Sequence, residues 1–109
     1  MLYNNLIVQN DLKEMLEDKN ISWDKLKNNA VLITGATGML AKYITYLLIY
    51  MNEEMNYNVN IYILVRNMEK AIYNFGEYIE KDYFNVINQD ICDELELKDK
   101  VDYIIHMIF

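Results

Sequence analysis

The feature that most constrains the fold is a glycine-containing junction between an apolar run and an apolar helix, VLITGATGML at residues 31–40. The preceding run AVLIT at 30–34 is short and rich in β-branched residues, which is typical of a buried parallel strand. From Met39 the apolar spacing becomes helical and continues to about Asn52. Five apolar residues share one stripe of this predicted helix: Leu40, Ile44, Leu47, Leu48 and Met51. The pattern therefore predicts a strand, a tight turn and a helix.

The rest of the chain repeats this alternation. Apolar runs predict further strands at 58–67, 83–90 and 101–109, and the segment 68–81 is helical until Gly76 breaks it. A short connection at 93–100 joins the last two strands. Strands that alternate with helices indicate βαβ units, so we expect an α/β fold with a parallel sheet of order 3-2-1-4. This is the first, N-terminal half of a doubly wound sheet.

The first 29 residues are predicted to be a short N-terminal helical appendage to the domain at 30–109. The segment 10–20 has the apolar periodicity of a helix, and Asp11 with Glu14 has the spacing of a capping box. A second helical turn is expected to begin at Ser22.

Composition limits the partners and the compartment. The chain has 109 residues and a net charge of −7, which argues against nucleic acid and anionic membranes as partners. It has one cysteine, Cys92, and no secretory signal, so we expect an ordinary thiol in a cytoplasmic protein. The longest apolar stretch, 43–51, is about half of the roughly 20 residues that a membrane span needs. No cluster of metal ligands is expected.

The glycine junction predicts an anion site. A strand that turns sharply into a helix leaves backbone N–H groups unpaired at the positive end of the helix dipole. Gly35 is expected to make the turn, and Gly38 to let a diphosphate approach the backbone. Ala41 is the small residue that lets the helix pack on the sheet. The amides of Met39 and Leu40 are expected to face the phosphates while their side chains enter the core. The alternative is an ordinary tight connection without a ligand.

The sequence ITGATGMLAKYI resembles the TGxxGxxG/A signature of extended short-chain dehydrogenases/reductases, at Thr34, Gly35, Gly38 and Ala41. The segments IYILVRN, NVINQDI and DYIIH resemble the next three strands of that family. The longer segment WDKLKNNAVLITGATGML resembles the start of its nucleotide-sugar epimerase/dehydratase branch, which includes UDP-glucuronate decarboxylase-like enzymes of surface-polysaccharide biosynthesis. The resemblance implies a Rossmann-type fold that binds NAD or NADP, with Thr37 in the cofactor-binding turn.

The resemblance also implies roles for residues that end later strands. Asp90 would accept a hydrogen bond from the adenine amino group, with Ile91 packed nearby. His106 would end the fourth strand beside the cofactor without acting as the catalytic base. From the residues alone, Asp90 is equally suited to cap the segment that follows it. A lone histidine in an apolar run is more often a packed, hydrogen-bonded strand residue, and we favour that interpretation of His106.

The end of the second predicted strand indicates which dinucleotide would bind. An NAD site usually has a carboxylate there, which binds the ribose hydroxyls. This chain has Arg66 instead, and Lys70 follows one helical turn later. A guanidinium can pair with a 2′-phosphate or stack on adenine, and NADP is preferred over NAD. The alternative is that Arg66 is a solvated charge at a strand end.

The family's catalytic groups are a Ser or Thr after the fifth strand and a Tyr-x-x-x-Lys pair, and no Tyr-x-x-x-Lys occurs in these 109 residues. Bulky residues follow His106 where the family has small ones. We therefore expect an N-terminal dinucleotide-binding fragment of a nucleotide-sugar epimerase, dehydratase or decarboxylase, inactive alone and prone to form a homo-oligomer. The alternative is a non-catalytic NAD(P)-binding or protein-interaction module. Tyr43, Tyr46 and Tyr50 lie on one helix face and are expected to pack.

Overall fold

The computed structural model describes residues 2–18, 22–35, 38–88 and 101–106. Within these ranges, strands and helices alternate from residue 30 to residue 88, as the apolar pattern predicts. The helices are α1 (Leu6–Leu16), α2 (Met39–Met55) and α3 (Met68–Phe75), and the strands are β1 (Ala30–Thr34), β2 (Asn60–Val65), β3 (Phe84–Asn88) and β4 (Tyr103–His106). Short 3-10 helices lie at Leu2–Asn4, Trp23–Leu26 and Gly76–Glu80.

The four described strands form one parallel sheet with the order β3-β2-β1-β4. This arrangement confirms the predicted α/β fold class and strand order. The register places Thr34 of β1 opposite Leu64 of β2 and His106 of β4. Val65 of β2 lies opposite Asn88 of β3. All four strands therefore end at the same side of the sheet, which we call the carboxyl edge.

The main hydrophobic core lies between the helices and one face of the sheet. Alternate residues of the two central strands, such as Val31 and Ile63, contact helical residues such as Leu48 and Phe75 in this core. Residues of opposite parity on β1 and β2 form a smaller cluster on the second face: Ala30, Leu32, Tyr62 and Leu64. Burial on both faces explains why β1 and β2 appear in the sequence as continuous apolar runs.

The first helix begins earlier than the sequence pattern predicts. α1 starts at Leu6, because the side chain of Asn5 accepts hydrogen bonds from the amides of Ile7 (2.9 Å) and Val8 (3.4 Å). The predicted start near residue 10 was therefore wrong, and the Asp11–Glu14 spacing is not a capping box because both residues lie inside the helix. Leu6 and Ile7 are exposed, so the apolar periodicity did not reveal the first turn.

Two helix ends depend on residues that tolerate unusual backbone angles. α2 continues to Met55, three residues beyond the predicted end, and stops where Asn56 adopts a left-handed conformation with φ 55°. Gly76 ends α3 with φ 52° and ψ −127°, which only glycine adopts readily. The predicted break at Gly76 is confirmed.

Residues of the predicted appendage contribute to the same core as the sheet. Tyr3, Val8 and Leu12 are buried in the main cluster. The indole N–H of Trp23 donates to the carbonyl of Met15 at 3.1 Å, which ties the second helical turn to α1. The domain boundary at residue 30 stays a prediction. None of the helices in the described ranges is long and apolar enough to cross a lipid bilayer.

Candidate functional site

The glycine junction lies at the carboxyl edge, between the end of β1 and the start of α2. Gly35 follows β1 directly and has φ 69°, the left-handed conformation that glycine adopts without steric cost. The amide of Gly38 donates to the carbonyl of Gly35 at 3.0 Å, which closes the turn. These angles confirm that Gly35 makes the sharp turn from the strand into the helix.

The start of α2 has three amides without an acceptor inside the helix. Gly38 is the N-cap residue, and having no side chain it makes no side-chain capping bond. The first backbone hydrogen bond of the helix runs from the Lys42 amide to the Gly38 carbonyl at 2.8 Å. The amides of Met39, Leu40 and Ala41 precede that bond, so they have no partner within the helix. Amides at the positive end of a helix commonly bind anions, and an anion site at this 17-residue helix stays a prediction.

The other two described α-helices have side-chain caps. The Asn5 side chain caps α1, and the Asn67 side chain accepts a hydrogen bond from the Lys70 amide at 3.1 Å at the start of α3. Among the three α-helices in the described ranges, α2 is thus the one whose N-cap residue accepts no hydrogen bond through a side chain. The difference follows from the residue at the cap, since glycine has no side-chain oxygen.

The side chains at the start of α2 lie differently from the prediction. Met39 is 69% exposed and Leu40 is 54% exposed, so neither enters the core. The first turn of α2 begins after β1 has ended, and the apolar stripe becomes buried only farther along, at Leu47 and Met51. Ala41 is fully buried in the main core, as expected for a small residue where the helix meets the sheet.

Arg66 follows β2 at the same carboxyl edge. Its side chain is exposed, and no carboxylate in the described ranges forms an ion pair with it. Lys70, in the first turn of α3, is also exposed. Because β1 and β2 are neighbours, the guanidinium is attached one strand away from the glycine junction.

His106 and Thr34 end two neighbouring strands at this edge and contact each other. The Thr34 hydroxyl lies 2.6 Å from His106 Nδ1, a hydrogen-bond distance. Thr34 is buried and His106 is exposed to solvent. The interpretation of His106 as a hydrogen-bonded strand residue agrees with this contact, although the residue is less packed than expected. Its partner was not predicted, because the register of two strands cannot be read from their composition.

Several predicted site residues lie outside the described ranges. These residues are Thr37, Asp90 and Ile91, together with Cys92 and the bulky residues 107–109. Their proposed contacts with a cofactor stay predictions. The described residues contain no group of three or more His, Cys, Asp or Glu side chains placed to hold a metal ion.

The tyrosines of α2 are packing residues. Tyr46 is fully buried and its hydroxyl donates to the carbonyl of Asn74 at 2.7 Å, which joins α2 to α3. Burial raises the pKa of Tyr46 to about 12, and neighbouring Tyr43 adds to the effect. Tyr43 and Tyr50 are half-buried against the same core.

Comparison of the chain with protein-family models, curated proteins and solved structures returned no match.

Proposed function

We propose that this chain binds the diphosphate of an NAD-type dinucleotide at the start of α2. The single observation that carries the proposal is the glycine N-cap of α2, which makes no side-chain capping bond and precedes three amides, those of Met39, Leu40 and Ala41, that have no acceptor within the helix. A Cβ at Gly38 would fill the space through which a phosphate reaches these donors. The residues present therefore fit a dinucleotide, and the positive end of the helix dipole favours its charge.

The position of Arg66 supports NADP as the preferred dinucleotide. An exposed guanidinium at the end of β2 stands where NAD sites usually have a carboxylate. A guanidinium can form paired hydrogen bonds with a phosphate, which favours NADP. It does not repel a ribose hydroxyl, so NAD still binds, but more weakly.

The role of the bound group is proposed from the resemblance to epimerases and dehydratases. A nicotinamide cofactor supplies hydride transfer when it is bound. In this chain the junction residues would hold and orient it. The 109 residues contain no Tyr-x-x-x-Lys pair to move a proton at a sugar hydroxyl. We therefore propose that these residues bind the dinucleotide and do not turn over a nucleotide sugar by themselves.

The substitution Gly38→Ser tests the proposal. Gly38 has φ −70° and ψ 158°, angles that any residue adopts, so the fold accommodates a side chain there. Serine is a good N-cap, and its hydroxyl would accept a hydrogen bond from the amide of Leu40 or Ala41. We expect unchanged or slightly higher stability but dinucleotide binding weakened about tenfold or more, since hydrogen bonds to a charged group are lost.

Isothermal titration of wild type and Gly38→Ser with NAD and NADP gives the measurement, and urea unfolding of both proteins gives the control. Weaker binding with intact stability supports a site at this helix. Equal binding by the two proteins would place the dinucleotide elsewhere, and no binding by wild type would remove the proposal. Appearance of reduced cofactor with UDP-sugars would contradict the expectation that the chain does not turn over.

A further inference from the structure

We draw no further inference here: the strongest candidate, the surface patch at the outer edge of β4, where Tyr103 and Ile104 are exposed at the rim of the described sheet, carries nothing because nothing in the structure shows what covers it.

Discussion

The side chain of Asn52 forms two hydrogen bonds with the backbone of Val59. Asn52 Oδ1 accepts from the Val59 amide at 2.7 Å, and Asn52 Nδ2 donates to the Val59 carbonyl at 2.8 Å. Asn52 lies in the last turns of α2, and Val59 precedes β2 and is fully buried. The amide group thus satisfies a buried backbone donor and acceptor where the chain passes from the helix to the strand.

Substitution of Asn52 by leucine should destabilise the protein strongly. Leucine has a similar volume but leaves the N–H and C=O of Val59 without partners, and each buried unsatisfied group costs about 1–3 kcal/mol. We expect the free energy of unfolding, measured by urea denaturation, to fall by about 2–4 kcal/mol. Glu54→Leu, at an exposed position of the same helix, is the matched control and should change the free energy of unfolding little. A loss in Asn52→Leu no larger than that in Glu54→Leu would contradict this account.

The order of the strands was predictable because strands that alternate with helices indicate βαβ units, and the first half of a doubly wound sheet has the order 3-2-1-4. The turn at Gly35 was predictable because a sharp exit from a buried strand favours glycine. Two predictions failed where apolar residues are exposed. The start of α1 at Leu6 and Ile7 was missed, and Met39 and Leu40 do not enter the core although α2 begins at Met39 as predicted. In the first turn of these helices the apolar residues do not follow the helical period of burial.

Contacts between elements could not be predicted from the sequence either. The pairs Thr34–His106 and Asn52–Val59 depend on register and on the exact exit of a helix, which composition does not encode. The capping role of Asn5 is readable in principle, because asparagine is a preferred N-cap. The spacing of Asp11 and Glu14 favours a later start, but the same spacing also occurs inside helices.

The hydroxyl of Tyr46 should contribute measurably to stability. It is fully buried and donates to the carbonyl of Asn74 at 2.7 Å, while its ring packs against Phe75 and Tyr3. Tyr46→Phe keeps the ring contacts and removes the bond, so we expect the free energy of unfolding to fall by about 1–2 kcal/mol. Tyr73→Phe, on the exposed surface of α3, is the control and should change little. Equal effects of the two substitutions would show that the buried bond is not stabilising.

Stability should decrease in alkaline solution. Burial is the main cause that raises the pKa of Tyr46 from 10.0 to about 12. Burial likewise raises the pKa of Tyr3 and of Tyr83, and Glu53 adds to the effect at Tyr83. The folded state therefore holds these phenol protons more tightly than the unfolded state. The resulting stability is present below about pH 10 and is lost as the pH rises towards about 12.

Urea unfolding between about pH 8 and 11 measures this change, because the range spans the pKa of free tyrosine. The midpoint should decline above about pH 10, and it should decline less in Tyr46→Phe, which lacks one of the buried phenols. A midpoint that stays constant through this range would contradict the assignment of buried, neutral tyrosines. Ultraviolet absorbance of tyrosinate in the folded protein gives an independent reading of the same titration.

The charge at the end of β2 should decide between the two dinucleotides. Arg66 is exposed and has no ion pair within the described ranges, so no described carboxylate competes with a 2′-phosphate for its guanidinium. We expect wild type to bind NADP about two- to fivefold more tightly than NAD, the strength of an exposed charge pair. Arg66→Glu should reverse this preference, because a carboxylate repels the phosphate and accepts hydrogen bonds from the ribose hydroxyls.

Lys13→Glu, on the exposed face of α1, changes the net charge equally and should leave the NADP-to-NAD ratio unchanged. Isothermal titration of the three proteins measures that ratio, and equal or tighter binding of NAD by wild type would defeat the assignment of Arg66.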